Sequence, residues 1–322
     1  MRALVIGGTE FVSLHLARSL LARGHEVTVL NRGRRQEHLP RGVDTIVADR
    51  KDHAALRDRL AGARFEGVLD VTYAPTLGED VTALLDALPG DPHVIFVSTC
   101  RVYDHALPIP YSEETPRGDY WGDYARHKIA GEDACLERFR RRGQPVTIVR
   151  PTHVYGPLNT RHNETFFMDR IWRGRPVLVP GDGGWLRQFG HVEDLADAMA
   201  AMLGDGRTAG QAYNVMGEEA ITQVGFVELI AEVMERPVEL RHVDPARIAA
   251  LERPRPVFGQ NLAYACHAVH TTTKLRRELA IRPRFTLASG LAQTWKWYRD
   301  QGLADRPLDT DFEDRLLAQP SA

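Results

Sequence analysis

The chain has 322 residues, 43% of them hydrophobic, and a formal net charge of −2. That length and apolar content fit one large α/β domain or a large domain with a smaller partner, and the near-neutral balance excludes a general electrostatic pull toward nucleic acid or an anionic membrane. The three cysteines, Cys100, Cys135 and Cys266, are odd in number, far apart and without a CxxC pair, which excludes a disulfide framework or zinc finger and predicts a reducing, cytoplasmic setting.

Strand-like apolar runs alternate with amphipathic segments through the first half: residues 3–6, 26–31, 44–48, 67–72, 93–99 and 146–150, with helical patterns such as 13–24 and 80–90 between them. Gly24 and Gly90 stand where those helices should stop. The alternation predicts an α/β fold, a Rossmann-like doubly wound parallel sheet. After Arg150 the pattern loosens into short strands, Pro/Gly turns and helices. The expected organisation is a dinucleotide-binding domain over 1–150, with 186–205 returning to it. A smaller C-terminal substrate lobe takes 151–185 and 206–302, and a polar tail takes 303–322. The N-terminal apolar run is too short for a signal peptide, and no stretch approaches the ~20 apolar residues of a membrane span.

The first strand runs into Gly7-Gly8-Thr9-Glu10-Phe11-Val12-Ser13. A dinucleotide fingerprint asks for three glycines, for the tight turn, for backbone approach to the pyrophosphate and for helix packing. Gly7 fits the first place; Glu10 and Ser13 hold the others. Ser13 is small enough to pack, whereas Glu10 is compatible with a pyrophosphate only if its carboxylate points away. Alone, these residues fit a cofactor turn or an ordinary strand-to-helix turn equally well. Thr9 and Phe11 lie in the same turn and are expected at the cofactor. At the end of the second strand stand Asn31 and Arg32, followed by Arg34 and Arg35, where an NAD site usually has an acid; a guanidinium there suits a 2′-phosphate and favours NADP over NAD. The other reading of this stretch is a solvated basic loop. Asp49 and Arg50 follow the third strand, where adenine contacts are expected.

Tyr124 and Lys128 are four apart in a helical segment and so share a face, one of only four lysines in the chain standing beside a phenol. An ammonium there stabilises the phenolate and turns it into a general acid/base for a hydroxyl or carbonyl. Ser98 and Thr99 end the fifth strand, at the sheet edge where such folds bind ligands. Cys100 reads as a buried spectator. His267 and His270 adjoin no carboxylate or second pair with ligand spacing, so no metal is expected.

In the order and spacing of GGTEFVS, STCRVY, Tyr124-x-x-x-Lys128, RPTHVYGP (150–157), RQFGHVEDLA (187–196) and TTKLRRELAIRPR (272–284), the chain resembles the extended short-chain dehydrogenase/reductase superfamily over about residues 1–300. This is the group of NAD-dependent epimerases and dehydratases that includes nucleotide-sugar epimerases. LNRG, ADR and PGDG segments look most like an atypical branch with chloroplast RNA-binding relatives. The resemblance implies a catalytic set of Thr99, Tyr124 and Lys128, the last also on the cofactor ribose, and a cofactor contact at Tyr73. It implies substrate contacts at Ser98, His153, Asn163 and Arg187, with Arg187 on a diphosphate, and a homodimer through helices near Tyr124. Against the functional readings stand bland ones: Arg187 bridging the lobes, and His153 packed beneath the site. Cys100 and Arg101 replace the Asp-Glu pair of the 4,6-dehydratases, which argues against dehydration. The expected function is NAD(P)-dependent epimerisation or reduction at a hydroxyl or carbonyl carbon of a small molecule, foremost a sugar nucleotide. The alternatives are a ketoreductase of a non-sugar intermediate and a non-catalytic or RNA-associated protein that kept the fold.

Overall fold

Seven strands pair in parallel into the central sheet of a computed structural model, which describes residues 1–72, 77–249 and 266–318. They are β1 (Arg2–Ile6), β2 (Glu26–Asn31), β3 (Val43–Val47), β4 (Gly67–Asp70), β5 (His93–Val97), β6 (Val146–Pro151) and a late strand, Gln211–Val215. Their order is late strand, β6, β5, β4, β1, β2, β3, so the connection reverses direction between β1 and β4. A central parallel sheet is buried on both faces, which is why β1, β4, β5 and β6 read as nearly unbroken apolar runs. One face packs on α1 (Phe11–Ala22), through Leu16, Ala17 and Leu20. The other packs on α2 (His53–Leu60), α3 (Gly78–Ala87) and α4 (Gly122–Arg142).

The smaller lobe holds β7 (His153–Tyr155), α5 (Asn163–Trp172), β8 (Val177–Pro180) and β9 (Leu186–His191). Its other elements include a short strand, Ala220–Thr222, antiparallel to β9, and the helices Gln223–Val233 and Leu287–Asp300. A separate aromatic core centred on Phe167, Phe189, Phe226 and Trp295 holds it together, with Phe189 and Phe226 stacked at 4.1 Å.

Three boundaries differ from the sequence expectation. The return to the domain of the seven-stranded sheet starts with α6 (Val192–Met202), which packs on α1, while β9 itself stays in the lobe's three-stranded sheet. Residues 211–215 leave the lobe to become an edge strand beside β6, covered by the helix Thr273–Leu279. Asn214 disguises that strand, because its buried amide is satisfied from outside it, by the Tyr103 hydroxyl at 2.6 Å and the Thr271 carbonyl at 3.1 Å. The tail over 303–318 docks on the lobe: Ala304 and Leu316 are buried, and Glu313 accepts two hydrogen bonds from Arg170.

Candidate active site

The ends of β1 through β6 open onto one cleft of about 670 Å³, lined by Gly7, Asn31, Asp49, Thr72, Ser98, Thr99, Tyr124, Lys128 and His153 among others. This is the carboxyl edge of the sheet at its switch point, where open α/β sheets bind ligands.

At the end of the cleft beside β1 and β2, Gly7 and Gly8 take φ of +119° and +99°, a region that favours glycine. A Cβ on Gly8 would fall inside the Val29 side chain. The turn is pinned to β2: the Gly7 N–H donates to the Leu30 carbonyl at 2.9 Å, and the Asn31 amide donates to the Gly7 carbonyl at 3.3 Å. Asn31 also accepts from the Gly33 N–H and the Gln36 amide. Asn31 therefore braces the turn, besides lining the cleft. Ser13, in the third fingerprint position, is buried with its hydroxyl on the Glu10 carbonyl at 2.8 Å.

Glu10 is the first residue before α1, yet its side chain caps nothing; it turns outward and pairs with Arg35, both about half exposed. The helix has no acid in its first turn. Its terminal N–H groups, unsatisfied within the helix, face the cleft without a side-chain competitor, and an anion is favoured there by the helix dipole. These residues fit the pyrophosphate of a dinucleotide. Thr9 and Phe11 line the same end, as do Arg32, Arg34, Arg35 and Asp49.

Arg50 lies deeper. It is buried, and its Nη1 donates to both oxygens of Asp70, at 2.7 and 2.8 Å, and to the Thr72 hydroxyl at 2.8 Å. Burial alone would raise the Asp70 carboxyl; Arg50 and the hydrogen bonds outweigh it and hold the group below its ordinary range. Tyr73 lies outside the described residues.

On α4, Tyr124 and Lys128 both border the cleft. Lys128 is buried, and its ammonium donates to the Val97 carbonyl at 2.8 Å and the Thr72 carbonyl at 3.1 Å, tying the helix to the ends of β5 and β4. Burial lowers its pKa to about 8, against the pull of Asp70. Thr99 accepts from the Arg101 N–H at 3.2 Å, starting a short 3-10 turn. The Ser98 hydroxyl is buried and has no protein partner among the described residues. Cys100 is buried, its thiol donating to the Arg150 carbonyl at 3.2 Å, and burial pushes its pKa up.

The far end of the cleft carries His153, Asn163 and Arg187, all three on lobe elements. Arg187 is almost fully buried and donates to the carbonyls of Leu186 and Cys266. Arg101, His105, Trp121, Arg161 and His270 line this end too. Burial lowers His105 to about 4 and His270 to about 3, so both rings are neutral near pH 7. His267 instead packs against Trp185 and accepts from the Leu186 N–H. Among the described residues no group of three or more His, Cys, Asp or Glu is arranged to hold a metal ion, and no helix is long and apolar enough to cross a membrane.

Sequence reasoning overlooked Asp70, although a lone acid inside the apolar run GVLDVT is a detectable signal of a buried partner. It also overlooked the basic and aromatic wall at the far end, where Arg101, His105 and Trp121 come together from the segments between β5 and α4.

The family model described as NAD dependent epimerase/dehydratase family matches residues 3–215. A chloroplast stem-loop binding protein of 41 kDa from Arabidopsis thaliana is 30% identical, with 99% of this chain and 84% of that protein covered. A dTDP-glucose 4,6-dehydratase from Streptomyces niveus is 29% identical over 97% of each. Among solved structures, a UDP-glucose 4-epimerase from Thermotoga maritima superposes with a TM-score of 0.79 at 20% identity, over 94% of this chain and 99% of that one, a likeness of fold.

Proposed function

Because the chain belongs to the NAD dependent epimerase/dehydratase family, a family of enzymes, we propose that it is an NAD(P)-dependent epimerase or reductase acting on a hydroxyl-bearing or carbonyl carbon of a sugar nucleotide. The observation that carries this reading is the pairing on α4: Tyr124 borders the cleft one turn from Lys128, whose ammonium is clamped to the ends of β4 and β5 beside Thr99.

When bound, the nicotinamide supplies the hydride acceptor or donor. Tyr124 takes the proton from the substrate hydroxyl, or returns it to the carbonyl oxygen, and the Lys128 charge stabilises the phenolate in between. Ser98 and Thr99 hold the same oxygen in hydrogen-bonding reach of the phenol; the unpaired Ser98 hydroxyl gains a partner by doing so. The α1 N-terminus takes the pyrophosphate of the cofactor, and Gly7, Thr9, Glu10 and Phe11 shape that turn. Asn31 and Asp49 border the adenosine, with Arg32 beside them. The cluster of Arg32, Arg34 and Arg35 favours a cofactor with a 2′-phosphate. Arg50 acts from beneath, holding Asp70 and Thr72 in place under Lys128. Arg187 faces the diphosphate of the substrate, flanked by His153 and Asn163.

Replacing the Asp-Glu pair of dehydratases by Cys100 and Arg101 removes an acid and a base at that place, so water elimination is not part of the proposal. The test is twofold. NAD(H) or NADP(H) should raise the melting temperature of the purified protein, and Tyr124→Phe should reduce turnover of a responsive sugar nucleotide by about 10²–10⁴-fold with cofactor binding retained. No shift with either cofactor refutes the enzyme reading; full turnover in Tyr124→Phe refutes the mechanism.

A further inference from the structure

The charges in the cleft are sorted by end. Among the described residues its two carboxylates, Glu10 and Asp49, both belong to the cofactor end. At the substrate end the ionisable lining residues are Arg101, Arg161 and Arg187, together with His105, His153 and His270. Arg187 answers the diphosphate in the reading above; of the two other arginines, Arg101 is the one against the Tyr124 ring.

Its position is specific. Arg101 follows Thr99 by two residues, in the 3-10 turn that Thr99 caps, which sets its backbone next to the Ser98–Thr99 strand end. Its guanidinium lies 4.4 Å from the centre of the Trp121 ring and 5.9 Å from that of Tyr124. An indole platform fixes the plane of the guanidinium and loses little to dehydration, which pre-organises the fork for a planar, bidentate anion. Arg101 and Arg187 also repel each other and together disfavour a proton on His105, three basic groups held around one cavity. With the diphosphate on Arg187, a second anion on the Arg101 side further relieves that repulsion.

We propose that Arg101 is a specificity-determining residue that binds a carboxylate on the sugar, next to the carbon that is oxidised or reduced, so that the preferred substrates are sugar nucleotides of the hexuronate class. The inference rests on the sugar-nucleotide reading of the same cleft. The carboxylate contributes binding and orientation, and the proton and hydride steps are unchanged by it.

The experiment measures binding of UDP-glucuronate and UDP-glucose to the full chain by calorimetry, with NAD(P)H present. The wild type should bind the uronate at least about tenfold more tightly, a charge-assisted hydrogen-bonded contact being worth about that much. Arg101→Gln should remove the preference by weakening the uronate alone, and Arg101→Lys should restore part of it. Unchanged melting temperatures in both variants separate this loss from misfolding. Equal affinities in the wild type, or a preference that survives Arg101→Gln, overturn the inference while the sugar-nucleotide reading stands. Failure of both ligands to bind overturns that reading and this inference with it.

Discussion

Two carboxylates stand on neighbouring strands at the same sheet edge and live in opposite surroundings. Asp70, at the end of β4, is buried and takes both of its oxygens to Arg50. Glu10, just past β1, also pairs with an arginine, but the Glu10–Arg35 pair is about half exposed. The chemistry of the two pairs is alike and their energetics differ, because breaking a pair out of water strands a desolvated charge, whereas an exposed pair exchanges one partner for water. The first pair is part of the frame, and the second is a contact the cofactor site can rearrange.

The largest expected effect comes from breaking the buried pair. Asp70→Ala leaves Arg50 and Lys128 facing each other without a counter-charge, and should cost about 3–5 kcal/mol in a denaturant titration. A loss below 1 kcal/mol would mean that water reaches this pair as it reaches the other. The pair also sets the acid limit of stability. Asp70 has a folded pKa below its unfolded one, so its contribution is present above the ordinary aspartate range near pH ~4 and is lost as the pH falls through the folded value.

Lys128 titrates at the other end of the scale, with two consequences of opposite sign. Its pKa is lowered to about 8, so as pH rises from there toward the ordinary lysine range the unfolded chain holds more protons and this group's contribution to stability increases. Over the same range the ammonium that supports the Tyr124 phenolate disappears, and kcat/KM should fall with an apparent pKa near 8. A pH profile flat from 7 to 9.5 would separate Lys128 from the reaction.

The smallest effect belongs to the exposed pair. Glu10→Gln should change stability by no more than about 1 kcal/mol and, by releasing Arg35, tighten NADP(H) a few-fold while leaving NAD(H) unchanged. A large loss of binding of both cofactors would show that the carboxylate has a role in the turn that its outward pose does not reveal.

The same contrast explains what was legible in the sequence. The strands β1, β4, β5 and β6 announce themselves because burial on both faces demands uninterrupted apolar residues. Tyr124 and Lys128 announce themselves because helical spacing alone places them together. The outward direction required of Glu10 could be stated, but Arg35 as its partner could not, since that pairing depends on how β2 and its loop fold back. Arg50 borders the cleft at a strand exit, and only the three-dimensional placement of Asp70 shows that its guanidinium is also tied to that carboxylate. The edge strand 211–215 was hidden by Gln211 and Asn214, polar residues whose partners come from distant segments. In the tail, apolar residues are too sparse to show a pattern, and docking depends on polar pairs with distant residues, Arg170–Glu313 and Arg175–Asp314 among them, together with Ala304 and Leu316.

The smaller lobe is joined to the sheet at two places without slack. One residue, Thr152, separates β6 from β7, and β9 runs directly into α6 at His191–Val192. His153 and Arg187 thus ride on strands continuous with the main body instead of on long loops. Side chains mounted this way surrender little conformational freedom when a ligand arrives, so more of the contact energy survives as affinity. At these two crossings the bearing of the lobe on the sheet is carried by strands and a helix instead of by loops.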